Sequence, residues 1–177
     1  MRHSTLRRAA AAACCVLLLA CSPKFDWREV HGSAAPYSAL LPAKPATHAR
    51  DINLDGLPVT MTMTGAEVDS VTYAIGTIEL AEPAQAAHAL NAMRTALVRN
   101  IHGTVTQEKS SAPADGTTML ELEANGPLPQ GRRLLQARLI ARERHVYQLL
   151  VVGDERDFSR EAADTFFTSF RLSSTNN

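Results

Sequence analysis

Cysteine is nearly absent from this chain. Three occur among 177 residues, at positions 14, 15 and 21, and none follows. No disulfide can therefore form within the body beyond Cys21, which must stand on its hydrophobic core. Excess charge of either sign is missing too, with 18 basic residues against 18 acidic ones. That excludes a nucleic-acid binder driven by bulk positive charge. Aromatic residues make up only 5% of the chain, and four of its five phenylalanines crowd into positions 158 to 170. Long apolar runs are limited to one, residues 9–20. The sequence has no GxSxG, GxGxxG, P-loop, HExxH or CxxC motif, so it gives no ground for a cofactor, a metal or a catalytic residue. His31, His48, His88, His102 and His145 follow the leader, and no two of them sit at i, i+4 on a helix. The expectation is a non-enzyme. An enzyme with a dispersed site is the competing class, because triad members need not be near in sequence. A purely structural role is the third.

What is present begins with an address. Residues 1–8 (MRHSTLRR) carry three arginines and no acid, and residues 9–20 (AAAAACCVLLLA) are twelve apolar residues without a charge. A membrane-spanning helix needs about 20 such residues, so this is signal-peptide length. The run ends Leu18-Leu19-Ala20-Cys21. This resembles the lipobox of bacterial lipoprotein precursors. The resemblance implies cleavage between Ala20 and Cys21 and acylation of the Cys21 sulfur, whose thiolate is a competent nucleophile. Several acyl chains at about 0.8 kcal/mol per buried CH₂ hold a protein firmly to a bilayer. The partner so implied is a membrane, with the body facing the periplasm. Ser22, not aspartate, follows the cysteine, which in that family is compatible with the outer membrane. An uncleaved single-span anchor is the alternative.

The mature chain divides into a lipidated tether over 21–35, one domain over 36–173 and a tail over 174–177. Within the domain, strand patterns dominate. Residues 57–65 alternate, with Leu57, Val59, Met61 and Met63 on one face and threonines on the other, so the methionines read as core. Strands are expected near 47–54, 69–80 and 104–109. Pro83 opens a helix whose stripe is Ala86, Leu90, Met93, Leu97 and Ile101, with Gly103 as its stop. Residues 117–125 and 132–152 form a meander joined by the loop 126–131. HVYQLLVVG (145–153) is apolar on both faces, as a central strand should be. A last helix over 157–169 carries Phe158, Ala162, Phe166 and Phe170. Phe25 and Trp27 are expected to pack back on the domain. The fold class is α+β: a mostly antiparallel sheet with two main helices.

Two segments, YSALLP (37–42) and FFTSFRL (166–172), flank this order of elements. Together they resemble the PsbP-like α/β/α sandwich over about residues 37–172. Small bacterial lipoproteins of unknown function share that plan. The resemblance implies a module that binds a partner or assists assembly and is not an enzyme. The ligand expected between helix and sheet is a protein or an apolar molecule.

One chemical feature stands out in the meander. Arg132, Arg138, Arg142 and Arg144 share the parity of one long strand, opposite Glu121 and Glu123. They are candidates for a guanidinium row facing an anionic partner. The alternative is a solvated sheet face paired with those acids.

Overall fold

The computed structural model describes residues 23–33 and 35–173. The leader, the Ala20–Cys21 bond and the tail 174–177 lie outside the described residues. Every strand pair is antiparallel. The large sheet runs β3 (Ala46–Leu54), β4 (Leu57–Val68), β5 (Val71–Glu79), β9 (His145–Asp154), β8 (Gly131–Arg142), β7 (Thr117–Leu128), β6 (Thr104–Ser111). A small sheet has β2 (Tyr37–Leu41) between β1 (Arg28–His31) and β10 (Arg171–Leu172). Helices α1 (Ala86–Asn100) and α2 (Arg160–Ser169) complete the α+β body.

Alternation along the central strands builds two cores. On β9, Val146 and Leu150 join one cluster with Leu90, Met93 and Leu97 of α1. Tyr147, Leu149 and Val151 join the other, with Phe166 and Phe167 of α2 and with Tyr37, Ala39 and Leu41 of β2. The large sheet is thus covered by α1 on one face and by α2 plus the small sheet on the other. β9 lies fourth of seven, which is why its sequence is apolar on both sides. Met61 and Met63 lie on the α1 face as the alternation requires.

Local chemistry sets the ends. Pro83 begins a short 3-10 turn that leads into α1, and Gln85 Oε1 accepts from the Glu82 amide at 3.1 Å. At the far end the left-handed residue is His102 (φ 50°), not Gly103. Gly103 is required for a different reason than a helix stop. A Cβ there would lie 2.8 Å from the Asn125 carbonyl oxygen and closer still to Ile101. Asp55 and Gly56, both at positive φ, turn β3 into β4. On α2 the Ser159 Oγ accepts from the Ala162 amide at 3.2 Å, so the helix starts three residues later than 157.

Two further expectations are corrected. The stretch 126–131 is not a loop. β7 and β8 stay paired to Leu128–Gly131, leaving a two-residue turn at Pro129–Gln130. Pro127 tolerates this because β6 pairing ends at Asn125, so Pro127 faces no neighbour on that side. The stretch 21–35 is not all tether either, because Arg28–His31 pairs with β2. Phe25 and Trp27 pack against the α2-side core, their rings 5.8 Å apart, so the folded body begins well before residue 36. No helix among the described residues is long and apolar enough to cross a membrane.

Candidate functional site

The large sheet is wider than its lid. α2 and the small sheet cover β5, β9 and part of β8, but the outer strands β6 and β7 extend past the helix. A cleft of about 300 Å³ opens there, walled by Asp164, Phe167 and Thr168 of α2. Its floor is two cross-strand rows. Gln107, Glu123 and Gln136 are register partners across β6, β7 and β8, and so are Lys109, Glu121 and Arg138. Register partners project to the same side of a sheet, about 5 Å from strand to strand. Six polar side chains therefore stand in a grid on the face that α2 leaves open.

The grid is internally bonded. Arg138 donates from Nε at 3.0 Å and from a terminal nitrogen at 2.8 Å to Glu121 Oε1. Its other terminal nitrogen reaches the Phe167 carbonyl at 3.2 Å, and the guanidinium sits 5.6 Å from the Phe167 ring centroid. Gln136 Nε2 donates to Glu123 Oε1 at 2.8 Å. Gln136 Oε1 is buried and has no partner among the described residues. Glu121, Glu123 and Asp164 line the cleft beside Lys109 and Arg138. Glu121 is bonded by Arg138, and Arg160 stands 3.7 Å from Glu123. Glu108 belongs to the other face, where it pairs with Arg94 of α1 at 2.6 Å. The Thr168 hydroxyl is turned back onto its own helix, donating to the Asp164 carbonyl at 2.6 Å. Chemically, the arrangement offers closely spaced acceptors and donors in a fixed lattice.

The four arginines singled out in the sequence are not brought together as one row. Arg132 makes a fork to Glu155, at 3.1 and 2.7 Å. Arg138 lies half under α2, as described. Arg144 sits in the β8–β9 turn, donates to the Leu80 carbonyl at 2.8 Å and pairs with Glu79 at 3.0 Å. Arg142 has no hydrogen-bond or ion-pair partner among the described residues and borders a separate, smaller pocket. The parity that links them also points Arg138 and Arg142 toward the α2 side of the sheet, because Leu135, Ala137, Leu139 and Ala141 face α1.

Gln107, Lys109, Gln136 and Asp164 were not singled out from sequence. Parity would have found Gln136, since it opposes Glu123, but the register of β6 is shifted by a bulge between Val105 and Gln107. Among the described residues no group of three or more metal-ligating side chains occurs. His88, beside the α1 stripe, is half exposed and bonds the Asp55 carbonyl oxygen through Nε2 at 2.8 Å. No protein-family model matches the chain, and no curated protein matches it either.

Proposed function

We propose that this protein is a lipid-anchored component of a bacterial envelope, a binding or assembly module of the PsbP-like kind that works without catalysis and presents the α2 cleft to a partner. The observation that carries the reading is the segment Leu18-Leu19-Ala20-Cys21 at the end of an uncharged twelve-residue run. A second observation agrees with it. Phe25, four residues after Cys21, already packs on the core. Four residues of extended chain span at most about 14 Å. Acylation at Cys21 therefore holds the small-sheet end of the body close to the lipid surface, with no long tether between them. The polar grid supports recognition of a protein surface or a hydrogen-bonding ligand, and its many acceptors argue against an apolar one.

Two measurements test this. Intact mass of the membrane-extracted protein should show a chain beginning at Cys21 and carrying acyl groups, and the Cys21→Ser variant should remain at precursor mass. Unmodified Cys21 in the extracted protein overturns the anchor. A photo-crosslinker placed at Thr168, in the cleft wall, should trap a partner in cells, while one at the exposed Asn91 on α1 should not. Equal trapping at both positions, or none at Thr168, overturns the cleft as the docking site.

A further inference from the structure

A second pocket, of about 160 Å³, lies where the β8–β9 hairpin end meets the small sheet. Thr117, Arg142 and His145 are register partners across β7, β8 and β9. They form a polar row at the edge of an otherwise apolar face, the next row inward being Met119, Ile140 and Tyr147. One group in this polar row has hydrogen-bonding capacity that the protein does not meet: the Arg142 guanidinium, which lines the pocket and has no partner among the described residues. Its neighbour Thr117 is turned to Asp115, whose carboxylate accepts from the Thr117 amide at 3.0 Å, and does not line the pocket. A second donor is loosely held: the Tyr147 hydroxyl reaches the Pro36 carbonyl only at 3.4 Å, and that oxygen already accepts the Ser173 amide at 3.2 Å.

We propose that this pocket binds a small monocarboxylate, with the Arg142 guanidinium as its charged anchor and the Tyr147 hydroxyl and His145 ring N–H as further donors. Arginine suits the task because its planar fork matches two carboxylate oxygens. The volume corresponds to about five waters at roughly 30 Å³ each, room for a short carboxylic acid and too little for a glycan or a lipid. Two acids near the row set the charge that is accepted. Asp115 is held to the Thr117 amide at 3.0 Å and acts on Arg142 only at longer range. Glu143, exposed on the turn, borders the pocket. These carboxylates repel a dianion about twice as strongly as a monoanion, so phosphate should bind more weakly than acetate.

The test uses the full-length protein in detergent, followed by amide and arginine side-chain ¹H–¹⁵N spectra. Sodium acetate and sodium phosphate are titrated against sodium chloride at equal ionic strength. Acetate should shift the Arg142 Nε–H and the amides around Tyr147 saturably. Arg142→Gln should weaken acetate binding about tenfold or more, the size of a lost charge-assisted hydrogen bond, while Arg132→Gln leaves it unchanged. Glu143→Gln should strengthen phosphate binding. If Arg142→Gln loses its dispersed spectrum, Arg142→Lys and Tyr147→Phe take its place, each weakening acetate. Acetate shifts no larger than those of chloride, or the same affinity after the Arg142 substitutions, overturn the proposal.

Discussion

The Ser169 hydroxyl accepts a hydrogen bond from the Leu40 amide at 2.9 Å while donating to the Phe166 carbonyl at 2.7 Å. This contact continues a strand pairing by other means. β10 pairs with β2 as Leu172 with Tyr37 and Arg171 with Ser38, and the same register carried on would set Ser169 opposite Leu40. There α2 has already begun, so a side chain takes the place of a backbone carbonyl. Ser169→Ala removes that acceptor and leaves a part-buried N–H unpaired, which should cost about 1–2 kcal/mol. Urea unfolding monitored by far-UV circular dichroism should show the midpoint fall with an unchanged slope. An unshifted midpoint would mean that water replaces the hydroxyl.

The two halves of that contact, YSALLP and FFTSFRL, were the segments that stood out in the sequence. Their partnership was not legible, because strand pairing across 129 residues leaves no periodic trace. What was legible came from strong local patterns: the threonine–methionine alternation of β4, the α1 stripe, and β9 apolar on both faces. Boundaries failed where tertiary contacts overrode local signals. Arg28–His31 lacks alternation and is a strand only because β2 offers it an edge. The loop forecast from Gly126 and Pro127 gave way to pairing with β8. The cleft was half legible: Glu121 opposite Arg138 followed from parity, whereas Gln107 and Asp164 depend on where β6 and α2 come to rest.

Phe166 is fully buried and meets the Tyr73 ring edge-on, with centroids 5.9 Å apart. Truncation to alanine removes most of a large side chain from the centre of the α2-side core. Phe166→Ala should cost about 3–5 kcal/mol, and its thermal midpoint should drop accordingly. Cutting the chain before Asp157 removes Phe158, Phe166, Phe167, Phe170 and β10 together. No cooperative melting transition should survive in calorimetry. A truncated body that still melts cooperatively would show that the small sheet and β5–β9 hold together without α2.

Arg138 and Arg132 offer a comparison within one strand. Arg138 is 28% exposed and its partner Glu121 is 40% exposed, whereas Arg132 and Glu155 are 57% and 41% exposed. Arg138 also packs on Phe167 and bonds its carbonyl. Solvent screening reduces both pairs. Arg138→Gln should nevertheless destabilise by about 1 kcal/mol and Arg132→Gln by clearly less. A double-mutant cycle with Glu121→Gln should return a coupling for Arg138 that adding salt only partly removes. Equal effects of the two arginines would assign Arg138 to ordinary surface pairing.

Gly126 lies where the end of α1 meets β7. A Cβ built there would lie 2.0 Å from the carbonyl oxygen of Ile101, the residue that ends α1. Backbone cannot step aside as a flexible side chain can, so Gly126→Ala must push the end of α1 off β7. The expected loss is about 1–3 kcal/mol, typical of overpacking. Gly116→Ala provides the contrast, because its Cβ meets nothing within 4 Å although φ is +79°. Its cost is the smaller one of left-handed backbone alone, about 1 kcal/mol. Chemical denaturation of both variants should rank Gly126 above Gly116.

Asp154 ends β9 and titrates abnormally. The Arg156 side chain bonds its carboxylate, the Arg156 amide donates to Oδ1 at 3.0 Å, and together they hold its pKa down to about 2 from its ordinary value of 3.8. A carboxyl whose pKa is lower in the folded chain than in the unfolded one favours folding while it is ionised. That contribution is complete above the unfolded value. It fades as pH falls through the interval between about 4 and about 2. In Asp154→Asn the group cannot ionise, so the variant should be less stable than the wild type at neutral pH, and the gap should narrow across that interval. Arg156→Gln should reproduce the effect, since it removes the bond that depresses the pKa. Urea midpoints measured from pH 6 downward give the readout. A gap that stays constant to the acid end would mean that the Asp154–Arg156 contact, only two residues long, persists equally in the unfolded chain.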